Sequence, residues 1–87
     1  MATGIQMYNV IKEATADYPV GAEFLIHKVD ANDLIKLRPS DLESLGYDLG
    51  VAEGVSSAVR EQDFGPLGRT MGIRFVFNSD APRLATH

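Results

Sequence analysis

The stretch from residue 45 to residue 60 reads LGYDLGVAEGVSSAVR. Glycines stand at 46, 50 and 54, and an apolar series (Leu42, Leu45, Leu49, Ala52, Val55, Val59) runs through it at helical spacing. Two arrangements satisfy that periodicity. One is a single helix with a glycine face; the other is two helices with a turn between them. A glycine inside a helix costs roughly 1 kcal/mol relative to alanine. Three in one helix would remove on the order of 3 kcal/mol from a domain whose whole stability is about 5–15 kcal/mol. Gly46 costs less as a cap after Leu45, with Asp48 as the next N-cap. Ser40-Asp-Leu-Glu43 has the pattern of a capping box. The spacing therefore predicts helices at about 41–45 and 49–61, with Gly50 and Gly54 one turn apart on the second.

The flanking segments carry their own punctuation. Thr3 followed by Gln6 is another capping-box pattern, and Met7, Ile11, Ala14 and Tyr18 fall on one face, with Tyr8 and Val10 beside it, before Pro19 and Gly21. This predicts a helix over about 4–17. Phe24, Leu25 and Ile26, bounded by a Pro-x-Gly turn signal and leading into His27, Lys28 and Val29, read as a strand. Asp30 can cap a short helix through Leu34, Ile35 and Leu37, ended by Pro39. FGPLGRTMG, with glycines at 65, 68 and 72 and a proline at 66, reads as loop or hairpin. Ile73, Phe75 and Phe77 alternate with Arg74 and Val76, as in a strand. The expected organisation is one domain over 1–78 with a loosely ordered tail over 79–87. The expected class is α+β: three to four helices with a small antiparallel sheet, winged-helix-like.

Composition bounds the partners. The 87 residues include no cysteine, so disulfides and thiolate metal sites are excluded. No apolar run has the length of a membrane span, and the start lacks the form of a signal peptide. The chain is therefore expected to be cytoplasmic, without membrane association or cofactor. Net charge is −4 and unevenly placed: residues 1–55 hold four Lys/Arg and nine Asp/Glu, residues 56–87 four Arg and three acids. Nucleic-acid affinity comes mostly from cations meeting phosphates, so on an acidic chain it requires a local basic patch.

The order helix, strand, two helices, terminal strand brings in a resemblance. LGVAEGVSSAVREQDFGPLGRTMGIRFVF, residues 49–77, resembles the part of bacterial winged helix-turn-helix regulators where a turn leads into a recognition helix and a wing hairpin. The resemblance implies a helix-to-wing corner at Phe64 and Gly65 and a wing from Gly68 to Gly72. A second resemblance rests on MYNVIKEATADYPVGAEF, the Leu49-Gly50 helix and the strand from Ile73 to Asn78. It is to a family of very short, functionally uncharacterised proteins of bacteria and their phages. Where that family has an arginine after Leu-Gly, this chain has Val51.

Two functions emerge as expectations. The first is a small winged-helix-like, double-stranded-DNA-binding transcriptional regulator of a phage or mobile element, acting as a homodimer. Its candidate residues are Ser56, Ser57 and Arg60 on the second helix, Arg69 and Arg74 on the wing, and Lys36 and Arg38 before a helix start, where they can touch backbone phosphates. The second is a non-enzymatic module that binds or inhibits a host protein through acids crowded into its N-terminal half: Asp30, Asp33, Asp41, Glu43 and Asp48. Convergence of Lys36, Arg38, Arg60, Arg69 and Arg74 on one face favours DNA; scatter favours the protein partner. Each residue also has a plainer use, as a solvated helix face, an outward strand position or an N-cap. Catalysis is not expected: of the only two histidines, His87 is the terminal residue and His27 falls in the expected strand with no carboxylate at ligand spacing, and no catalytic or phosphate-binding motif occurs.

Overall fold

The computed structural model describes residues 2–84. Thr3 caps the first helix, α1 (Gly4–Ala14). Its hydroxyl accepts from the Gln6 amide at 3.2 Å, and the Gln6 side chain accepts from the Thr3 amide at 2.9 Å. This is the reciprocal box legible in the sequence. Met7, Tyr8 and Ile11 form the buried face, while Tyr18, expected on it, lies beyond the helix end and is exposed. The helix stops at Ala14, where the Thr15 hydroxyl donates back to the Ile11 carbonyl at 2.9 Å.

β1 (Ala22–Ile26) turns Phe24 and Ile26 inward. His27, expected within this strand, instead caps α2 (Lys28–Leu34): its Nδ1 accepts from the Val29 amide at 3.1 Å. Asp30, expected as that cap, sits in the first turn of α2 and is buried. α3 (Pro39–Ser44) begins on the proline expected only to end the preceding helix. Arg38 is extended, as a residue before proline prefers, and Pro39 occupies the first helical position, where its missing N–H costs nothing. The Asp41 carboxylate then accepts from the Arg38 amide at 3.0 Å, so the cap forms two residues upstream of Ser40.

The two-helix reading of the glycine stretch holds. α3 ends at Ser44, α4 runs Leu49–Arg60, and Gly46 lies between them at φ +101°, in the left-handed region that favours glycine. α4 buries Ala52, Val55, Ser56 and Val59. Gly50 and Gly54 face open space, since a Cβ at either would meet nothing within 4 Å.

The segment expected as a hairpin is a helix, α5 (Gly65–Met71), with Pro66 in its first turn and Gly72 closing it at φ +76°. β2 (Ile73–Phe77) follows directly after Gly72. It enters at the same end as β1 and runs parallel to it, pairing Ala22 with Ile73 through to Ile26 with Phe77. The sheet is thus parallel rather than antiparallel, and the described residues contain five helices rather than three to four. The α+β class stands.

The core joins Met7, Ile11, Ile26, Leu34, Leu37, Leu42, Val59 and Leu67, each under 2% exposed. Phe24 and Ile73 turn toward it from the sheet. The other sheet face shows Leu25 and an exposed ion pair of Arg74 with Glu23 at 2.9 Å. The Tyr8 and Tyr47 hydroxyls hydrogen-bond each other and tie α1 to the turn between α3 and α4. After β2 the chain folds back without regular structure. Ala81 is buried, and the buried Asp30 carboxylate accepts from Arg83 Nε and from the Leu84 amide, each at 2.8 Å. Residues 85–87, the end of the tail expected to be loosely ordered, lie outside the described residues, and His87 with them.

Candidate nucleic-acid interface

The five candidate cations do not converge on one face but fall into separate groups, the outcome that taken alone favours a protein partner over DNA. Lys36 and Arg38 line a cleft of about 540 Å³ against the start of α1. Gly4 permits that approach: a Cβ there would lie 2.6 Å from the Leu37 amide nitrogen. Lys36 is engaged, pairing with Asp33 at 2.9 Å and donating to the Ala2 carbonyl at 3.2 Å. Arg60 belongs near this side. Its Nη2 donates to the Ser56 hydroxyl at 2.9 Å, which in turn donates to the Leu37 carbonyl at 2.9 Å. Arg69 and Arg74 line a different cleft, between α5 and β2, that shares no lining residue with the first.

Ser56 corrects the expectation of a polar edge on α4. The pitch of the helix turns it inward, it is fully buried, and its hydroxyl is spent on Leu37 and Arg60. It cannot reach a phosphate or a base. Ser57, one residue on, is exposed. The outward side of α4 is otherwise Leu49, Gly50, Val51, Glu53 and Gly54, with no cation before Arg60.

Arg69 is one of two uncommitted candidate cations, with Arg38, and the one on an element that adjoins β2. It lies in the last turn of α5, exposed, and its guanidinium has no hydrogen-bond or ion-pair partner among the described residues. It lies back toward the start of its own helix, so that a Cβ on Gly65 would sit 3.4 Å from Nη1. Arg74 comes next, on β2, with its charge shared with Glu23 at an exposed pair. The Arg38 side chain also lacks an ion-pair partner among the described residues.

Most of the acids have internal work. Asp30 holds Arg83 and the Leu84 amide, Asp33 holds Lys36, and Asp41 caps α3. Glu43 and Asp48 stay exposed, and the Asp48 side chain makes no cap bond although it stands at the N-cap of α4. The acidic surface read from sequence spacing is therefore mostly a set of intramolecular partners.

Two structural parts of this region had no clear signal in the sequence. One is the turn from Glu61 to Phe64, where Gln62 takes φ +65°. The other is Gly68, which lets α5 touch β2: a Cβ there would lie 2.7 Å from the Ile73 carbonyl oxygen. No helix among the described residues is long and apolar enough to cross a membrane. Comparison of the chain with known protein families, curated proteins and solved structures gives no match.

Proposed function

We propose that the chain is a small DNA-binding module of helix-turn-helix type, in which α4 and α5 form the pair and α5 meets the duplex. Short turns of three or four residues join the helices of such pairs, and residues 61–64 are a turn of that length. The observation that carries the reading is Arg69. It is the partnerless exposed guanidinium on the second helix of the pair, and phosphate contact needs an uncommitted cation. Arg74 on the adjoining strand and Ser57 on α4 are secondary contacts, and Lys36, Arg38 and Arg60 lie outside this interface. One module covers little DNA, so a homodimer on two half-sites is the working form. The module works without a hairpin wing between α5 and β2.

Fluorescence anisotropy with a labelled mixed-sequence duplex at low salt tests this. Wild-type binding should weaken steeply as salt rises, and Arg69→Ala should flatten the log–log salt slope by about 1, the contribution of one phosphate contact. Absence of any duplex binding at low salt would end the proposal.

A second reading, a module that binds a host protein, is favoured by the outward side of α4. Leu49 and Val51 are half-exposed there, Gly50 and Gly54 leave the surface open, and Asp48 and Glu53 border it. This surface suits an apolar, basic partner segment better than a phosphate backbone. Replacing Leu49 with Asp should abolish capture of such a partner, whereas Arg69→Ala should leave that capture intact.

A further inference from the structure

The corner between the α4–α5 turn and the end of β2 is built from aromatic rings. Phe64 is buried and packs edge-to-face on both strand phenylalanines: on Phe75 at 6.1 Å and 65°, and on Phe77 at 5.1 Å and 89°. Phe77 itself is 51% exposed. The buried neighbour holds this ring upright with one side left to water. Two clefts meet at it, of about 310 and 340 Å³, and both are lined by Gln62, Phe64 and Phe77. The first adds Lys28 and Asn32, the second Arg69 and Arg74.

Gln62 strengthens the case. It ends α4 in a Schellman arrangement: its amide donates to the Val59 carbonyl at 3.0 Å, and the Asp63 amide donates to the Ala58 carbonyl at 2.9 Å. That position takes glycine most readily, because φ is positive. Here φ is +65° on a residue with a long amide side chain, the one non-glycine positive φ among the described residues. A strained residue whose side chain lines two clefts points to a use for that side chain.

We propose that this corner binds a nucleotide unit. The base stacks on the open face of Phe77, the amides of Gln62 and Asn32 meet the polar edge of the base, and Lys28 takes the phosphate. Aromatic platforms flanked by cations are how proteins hold unpaired bases, because every base presents a π-face. Amide side chains add hydrogen bonds to base edges, and each cleft has the volume of a small-ligand site. The nucleotide site is distinct from the duplex contact proposed above. It lies in the cleft against α2 and turns on Phe77, Gln62 and Lys28, which the duplex reading does not use.

The same chemistry is presented by a free mononucleotide and by an unpaired strand, so both are titrated onto the full chain at low salt. Calorimetry tracks AMP, and fluorescence anisotropy tracks labelled ten-residue oligo(dT) and oligo(dA). Binding of both classes marks a mononucleotide site, and binding of the oligonucleotides alone marks an unpaired strand; each supports the proposal. Phe77→Ala should weaken the bound ligand by on the order of tenfold with unchanged circular dichroism and duplex binding. Phe77→Trp should restore affinity, its indole emission being quenched on binding. Gln62→Gly should weaken binding while raising thermal stability, a combination that a purely structural role does not give. The proposal is overturned if AMP and both oligonucleotides fail to bind, or if the alanine variant binds like wild type.

Discussion

Gly54 and Gly68 each occupy a helix of this chain, and alanine at the two sites should act in opposite directions. At Gly54, inside α4, an added Cβ meets nothing within 4 Å. Only the helix-propensity term operates, so Gly54→Ala should stabilise by about 0.5–1 kcal/mol. At Gly68 the same Cβ would lie 2.7 Å from the Ile73 carbonyl oxygen, a backbone atom that cannot swing aside as a side chain can. Contact at that distance against backbone forces α5 and β2 apart, which places the overpacking cost in the upper part of its usual range, about 2–3 kcal/mol. The propensity gain of about 1 kcal/mol offsets part of it, leaving a net loss of about 1–2 kcal/mol. In a domain of this size 1 kcal/mol moves Tm by about 4–8 °C. Thermal melts monitored by circular dichroism should therefore show Gly54→Ala melting about 2–8 °C higher and Gly68→Ala about 4–16 °C lower than wild type. If Gly68→Ala melted at or above the wild-type temperature, the close packing of α5 on β2 would be refuted, and with it the reason this segment is a helix seated on the sheet.

Two further outcomes test other joints. Ser56→Ala removes the donor to the Leu37 carbonyl and the acceptor for Arg60 in a fully buried position, so urea unfolding should show a loss of about 1–3 kcal/mol. Ser57→Ala, on the exposed side, should stay within about 0.5 kcal/mol of wild type in the same experiment. Burial, and then the hydrogen bond with the Tyr47 hydroxyl, raises the Tyr8 pKa well above its ordinary value. A raised phenol pKa means that the unfolded chain loses this proton first. The associated stability is complete below about pH 10 and declines as pH rises past it. Denaturation midpoints between pH 9 and 11 should fall for wild type and fall less for Tyr8→Phe; parallel curves would remove Tyr8 as the cause.

What is legible in the sequence is what local chemistry decides. The Thr3–Gln6 box, the break at Gly46 and the strand through Phe24, Leu25 and Ile26 each depend on residues within a few positions of one another. The caps of α2 and α3 are not legible in this way because several residues compete for the role. His27 has a ring nitrogen that serves as well as the Asp30 carboxylate, and Asp30 is needed elsewhere, by Arg83 and Leu84 more than fifty residues away. No spacing rule can see that partnership. The same holds for the candidate site. Ser56 looks like a polar edge until Leu37, nineteen residues upstream, claims its hydroxyl.

The segment GPLGRTM fits a hairpin by its punctuation and forms a helix by its packing. Pro66 and Gly72 are turn residues by propensity, yet proline is equally at home in the first turn of a helix and glycine just past its end. Between them only Gly68 speaks against helix, and its cost of about 1 kcal/mol is offset by the contact it permits with Ile73. Local punctuation alone therefore leaves the choice between hairpin and helix undecided; tertiary packing decides it. With this segment a helix, β2 has no hairpin partner beside it and pairs instead with β1, in the same direction. Arg69 moves with it, from the tip of an expected wing to the last turn of a helix beside Phe75 and Phe77. In the proposed interface Arg69 would therefore act from a helix beside an aromatic corner rather than from a loop. An arginine on such a seated helix loses less conformational freedom on meeting a phosphate than one on a mobile wing tip would.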